Sequence, residues 1–167
     1  MARIVISDAS VLIGLAIVDG LDWLPKLFGT VWIPESVKSE VLPGLDARGE
    51  KQISQAIKKK QLKVWSKPAL AHLVQIPDLD EGEADCIRIA SYIGVSQSLL
   101  LIDERAGRAV AKDLGIHIAG TAAVIGLAKR KKLITSAKAQ FAILHASDFR
   151  ISAAVIKTVL ESVDEPY

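Results

Sequence analysis

Two aspartates in this chain each stand directly after a short apolar run, Asp8 after RIVIS and Asp103 after LLLI. Runs of that length and composition read as strands of a sheet buried on both faces, and residues just past the carboxyl ends of parallel strands meet at the edge where such sheets bind ligands. Between them, PDLDEGEAD gathers Asp78, Asp80, Glu81, Glu83 and Asp85 with no basic residue among them. Such crowding requires solvent, a helix N-terminus or a cation. Glu83 shares a helical face with Ile87 and Ala90, so its carboxylate is expected on the buried stripe while Asp85 points elsewhere. Glu40, in PESVKSEV, adjoins the apolar Val41 on a second expected helix. Four carboxylates (Asp8, Glu40, Glu83, Asp103) converging on one sheet edge would repel one another and raise their pKa values unless positive charge intervened. Hard oxygen donors of this kind suit Mg²⁺ or Mn²⁺.

Blander readings exist for each residue. Either aspartate could cap the helix that follows it, and a glutamate on an exposed helix face is ordinary. Other chemistries find less support. His72, His117 and His145 are scattered without HExxH spacing, and Cys86 is the only cysteine, so neither a zinc hydrolase site nor an intrachain disulfide is indicated. There is no GxxxxGK[ST], and no GxGxxG follows a strand, which removes the common nucleotide-binding signatures of α/β proteins. A haloacid-dehalogenase-like phosphatase also places an aspartate after its first strand, but it wants DxD, and here Asp8 is followed by Ala9-Ser10.

The elements that must position these acids alternate. Strands are expected at Arg3 to Ser7, Thr30 to Ile33, Leu62 to Trp65, Leu99 to Ile102 and Ile116 to Ile118. Helical periodicity covers Ala9 to Phe28 with a break near Asp19-Gly20. It returns from Pro34 through Val41, from Leu45 to Gln61, from Glu81 to Ile93 and from Glu104 to Leu114. The segment after Trp65 through Ile76 has no clear period. After Gly120-Thr121 a helix runs to Lys129–Lys132, and two amphipathic helices follow near Ser136 to His145 and Ser152 to Ser162. Alternation of this kind predicts a three-layer α/β/α sandwich around a parallel sheet.

A chain of 167 residues is about one domain's worth, with the last helices, about 135–163, packing on it or forming an interface. Half of the residues are hydrophobic and the mean hydropathy is +0.32, consistent with a sheet covered on both sides and with an added subunit interface. The longest apolar stretches, such as Val11 to Val18, fall far below the roughly twenty residues of a membrane span. The N-terminus lacks the apolar core of a signal peptide, because Ser7 and Asp8 interrupt it, so a cytoplasmic protein is expected. A net charge of +2 does not by itself mark a nucleic-acid binder.

The ordered fragments SDAS, IPESVKSE, GEADCIRIA, LLLIDERAGR and IAGTAAVIGLAK resemble the PIN-domain family, especially its VapC-like prokaryotic branch, over roughly Ile4 to Ile134. The resemblance places the family's acidic metal site on Asp8, Glu40, Glu83 and Asp103. It gives Ser10 and Thr121 supporting hydroxyl roles, with Asp85 beside the third acid. Glutamate at that third position departs from the aspartate common in the wider family. The resemblance implies a Mg²⁺- or Mn²⁺-dependent endoribonuclease that leaves 5′-phosphate and 3′-hydroxyl ends. It also implies RNA as substrate, a cognate antitoxin and a homodimer. The basic run Lys129, Arg130, Lys131 and Lys132 offers charge for RNA phosphates, although cations at a helix C-terminus also complement its dipole. The alternative within the same fold is a non-catalytic module that binds RNA or protein.

Overall fold

Among the described residues, five short strands carry the architecture. In a computed structural model, which describes residues 3–66, 76 and 78–167, β1 (Ile4–Ser7) leads into α1 (Ala9–Ile17) and α2 (Trp23–Phe28). Then come β2 (Val31–Pro34), α3 (Glu35–Val41), α4 (Glu50–Lys58) and β3 (Leu62–Trp65). The second half comprises α5 (Glu81–Ile93), a 3-10 turn over Val95–Gln97, β4 (Ser98–Leu101), α6 (Arg105–Asp113) and β5 (His117–Ala119). It closes with α7 (Thr121–Arg130), α8 (Ala137–Ala146) and α9 (Ala153–Ser162). All strand pairs are parallel, in the order β3-β2-β1-β4-β5, and helices cover both faces in the expected three-layer α/β/α arrangement.

β1 is buried because it lies at the centre of the sheet with a helical layer on each side; Val5, Ile6 and Ser7 are all inaccessible. The chain winds outward from β1 through β2 to β3, then returns to build β4 and β5 on the other side. The β1/β4 junction is therefore the point where the strand order reverses, and two successive crossovers leave it in opposite directions. A crevice opens there at the carboxyl ends. The register fixes what faces it. Ser7 pairs with Leu101, and the Asp8 N–H donates to the Leu101 carbonyl at 2.9 Å. Asp8 and Asp103 thus leave adjacent strands at the same edge.

Two expectations need correction. Helical periodicity suggested a helix from Leu45, but α4 starts at Glu50. Gly44, Asp46 and Gly49 all have positive φ (79°, 55° and 78°), which no helix tolerates, and the Glu50 carboxylate accepts from Gly44 N (2.8 Å) and Asp46 N (3.2 Å) to close that loop. Pro34 does not sit in the first turn of α3; it ends β2 in extended backbone, and the helix begins one residue later. The aperiodic segment after Trp65 lies, apart from Ser66 and Ile76, outside the described residues, and His72 lies there too.

The C-terminal helices pack on α7 and on each other, and α8 also reaches α1. Ser136 and Ser152 cap them by accepting from Ala139 N (3.1 Å) and Val155 N (3.3 Å), and Phe141, Leu144, Ile156 and Leu160 join the common core. Among the described residues, no helix is long and apolar enough to cross a membrane.

Candidate metal centre

Asp8 is only 3% exposed and stands at the N-cap of α1, yet its side chain makes no capping hydrogen bond. Its Oδ1 is buried with no hydrogen-bond partner among the described residues. An isolated carboxylate oxygen in that position is costly. Burial is the main reason its pKa rises from 3.8 to about 7; the Ala9 N–H pulls the other way, and the charges of Asp80, Glu40 and Asp103 push it further up.

α3 packs against α5, and their ends bring two more carboxylates to Asp8. One oxygen each from Asp8, Glu40 and Asp80 lie within 4.8 Å of one another. Oxygens at that spacing can share one cation with bonds of roughly 2.0–2.6 Å. Gly82, in the first turn of α5, keeps the approach open: a Cβ there would lie 3.3 Å from Glu40 Oε2 and 3.5 Å from Asp8 Oδ1. Burial and the charge of Asp80 raise the Glu40 pKa as well. An acidic cluster in which Asp8 and Glu40 are pushed toward the neutral form is one that a divalent cation would stabilise, so the donors present fit such an ion.

Glu83 and Asp103 flank this trio. Glu83 is 5% exposed and turned toward α6, with Oε2 3.4 Å from where a Gly107 Cβ would stand. Its N–H donates to Asp80 Oδ1 at 2.8 Å. Its pKa rises to about 7 through burial first, then the charges of Asp80, Asp8 and Glu104 and a side-chain hydrogen bond with Asp80. Asp103 is held from one side: its Oδ1 accepts from Thr121 N (2.8 Å) and its Oδ2 from Thr121 Oγ1 (2.7 Å). Thr121 is fully buried in the first turn of α7. Ser10 Oγ is buried and unpartnered among the described residues. Asp85 is engaged elsewhere, accepting from Ser36 Oγ at 2.7 Å and pairing with Arg88 at 2.7 Å.

Lys129, Arg130, Lys131 and Lys132 end α7 and the turn after it, a helix length of about 15 Å from Thr121. Lys129 Nζ donates to the Thr135 carbonyl at 2.5 Å and lies 3.8 Å from Glu165.

Sequence reasoning counted Asp80 within the acidic run but did not single it out. The signal was present: Asp80 precedes a helix and stands three residues before Glu83, an N-cap arrangement that points its carboxylate at the start of α5. Its meeting with Glu40 depends on how α3 and α5 pack, which no local pattern encodes.

The grip on Asp103 yields a prediction. A Cβ on Gly120 would stand 2.6 Å from Asp103 Oδ1, although the Gly120 backbone, at φ −114°, suits any residue. Gly120→Ala should therefore displace Asp103 from Thr121 and lower metal affinity roughly tenfold, read by calorimetry with Mn²⁺, while the circular-dichroism spectrum stays unchanged. Wild-type affinity in this variant would show that the Asp103 position is immaterial to the ion.

The chain is thus a three-layer α/β/α protein with acids clustered at the strand-reversal point of its parallel sheet. The family model described as a PIN domain matches residues 4–165, and the chain belongs to that family. A search of curated proteins finds no match. PIN domains are typically metal-dependent nucleases, and the acidic cluster is compatible with that chemistry.

Proposed function

We propose that this chain is a Mg²⁺- or Mn²⁺-dependent endoribonuclease, and that it acts in the cytoplasm as the toxin of a toxin–antitoxin pair. The observation that carries the catalytic part is the convergence of Asp8, Glu40 and Asp80 around the unpartnered Asp8 Oδ1 in a PIN-domain chain. Asp8, Asp80 and Glu40 would hold the ion, and Asp103, oriented by Thr121, would supply a further carboxylate beside them. When bound, a divalent ion lowers the pKa of water and neutralises charge on the phosphoryl oxygens. Glu83, buried and hydrogen-bonded to Asp80, is placed to take the proton of the attacking water at its carboxylate. Ser10 Oγ is available to orient that water or to support Asp8. The antitoxin and a homodimeric state rest on the resemblance to the VapC-like branch.

The purified chain with Mn²⁺ should cleave single-stranded or structured RNA, and EDTA should stop it. Glu83→Gln should lower the cleavage rate far more than Asp85→Asn, because Asp85 is already engaged by Ser36 and Arg88. The reverse order would move the role to Asp85. RNA binding without cleavage would favour the non-catalytic module.

A further inference from the structure

Beside the acid cluster, on its Asp103 side, lies a cavity of about 700 Å³ that reaches Ser10 and Asp103 at one end. That volume is in the range of small-molecule sites and exceeds what the acids alone need. Besides Ser10, Asp103 and the start of α7, two further parts of the chain form its walls. α6 contributes Arg105 and Arg108, and the α8–α9 connection with the start of α9 contributes Phe149, Arg150 and Val155. The lining combines three guanidinium groups and apolar side chains with the acids Glu104 and Asp148, and beside a phosphodiester-cleaving centre the first two suit single-stranded nucleic acid, whose phosphates seek Arg and whose bases seek flat apolar surfaces.

The local geometry separates three roles. Arg108 Nη1 donates to the Ile102 carbonyl at 2.8 Å, which holds the guanidinium at the end of β4; it lies 3.1 Å from the point where a Gly120 Cβ would stand, the same space that Asp103 Oδ1 borders. One N–H spent on Ile102 leaves the rest of the fork for a phosphate beside Asp103. Arg150 is the opposite case: its side chain is 88% exposed, and its pairing with Asp148 at 3.5 Å is a solvated contact of little worth that a phosphate can replace. Phe149 is anchored, because its ring tip fills the space over Gly14, where a Cβ would come within 2.8 Å of Cζ. The anchored ring gives the cavity a fixed aromatic wall.

We propose that this cavity is the subsite for the nucleotide adjoining the scissile phosphate, with Arg108 and Arg150 contacting its phosphates and Phe149 supporting its base. The assignment rests on the ribonuclease reading of the acid cluster. It also makes the α8–α9 helical pair part of the substrate site.

The test uses the full chain and a fluorescein-labelled eight-nucleotide single-stranded RNA, with anisotropy measured in Ca²⁺ and cleavage measured separately in Mn²⁺. Arg150→Ala is expected to weaken binding five- to thirtyfold and to flatten the salt dependence by about one unit of log–log slope. Phe149→Leu should weaken binding by about tenfold without altering that slope. Gly14→Ala, which touches no RNA, should weaken binding by displacing Phe149, with Mn²⁺ affinity measured beside it because the new Cβ also meets Thr121 Cγ2 at 3.1 Å; Lys112→Ala at the far end of α6 should bind as wild type. No RNA binding by the wild type, or wild-type binding by both Arg150→Ala and Phe149→Leu, would overturn the subsite. Absence of cleavage with binding and its variant pattern intact would instead reject the nuclease reading and leave the cavity as an RNA site.

Discussion

Asp8→Asn should reduce Mn²⁺-dependent RNA cleavage by at least about a thousandfold, to the level seen in EDTA. Asp8 is the acid on which the site converges: its Oδ1 is buried and unpartnered, the Glu40 and Asp80 oxygens lie within 4.8 Å, and the Asp103 charge reaches it across the β1/β4 junction. An amide keeps the shape but loses the anionic oxygen, so it neither holds a divalent ion firmly nor helps lower the pKa of its water. Contaminating nucleases would be indifferent to the substitution, which makes the variant its own control. Equal cleavage by wild type and variant, from matched preparations, would rule out Asp8 as part of the cleaving site.

The same substitution should have the opposite effect on stability when metal is withheld. In the folded chain the Asp8 carboxyl titrates at about 7 rather than 3.8, mainly because it is buried, and Glu83 rises in the same direction to about 7. Between these limits the folded state holds protons that the unfolded chain has released. Stability of the metal-free protein therefore falls as pH rises from about 4 through about 7, then levels off. A shift of that size corresponds to at most about 4 kcal/mol for Asp8, and relaxation of the site will reduce it. Asp8→Asn should raise the Tm of the EDTA-treated protein at pH 8 by on the order of 5 °C and leave it nearly unchanged at pH 4. Adding Mn²⁺ at pH 8 should reverse the ranking, because only the wild type gains binding energy. Calorimetric scans of both proteins in the four conditions decide it; a lower Tm for the variant in EDTA at pH 8 would mean that the Asp8 charge is not a burden on the fold.

Much of this arrangement was legible because strand ends and acids coincide in the sequence. RIVIS and LLLI are apolar runs terminated by aspartate, and the structure places both at the same edge, with boundaries within one residue of those expected. Glu83 was readable as inward because helical period alone ties it to Ile87 and Ala90, and all three are buried. What could not be read was contact between elements. Asp80 meets Glu40 only through the packing of α3 on α5, and Thr121 reaches Asp103 only because β5 delivers α7 beside the end of β4. The false start of α4 had a local cause: Leu45 to Gly49 carries a charged pattern compatible with a helix, while Gly44, Asp46 and Gly49 adopt positive φ that the pattern does not disclose.

The reversal of strand order at β1/β4 also sets when the site can exist during synthesis. Asp8 is made first, but Ile4 pairs with Ser98, so its partner strand emerges from the ribosome only after more than half the chain has been translated. At about 5–20 residues per second this is an interval of several seconds or longer. By its end the nascent chain carries Asp8, Glu40 and Asp80, still without the β4 wall and without the α7 residue that holds Asp103. Translation products ending before β4 therefore lack both Asp103 and Thr121, and the acidic edge is complete only once α7 has been delivered.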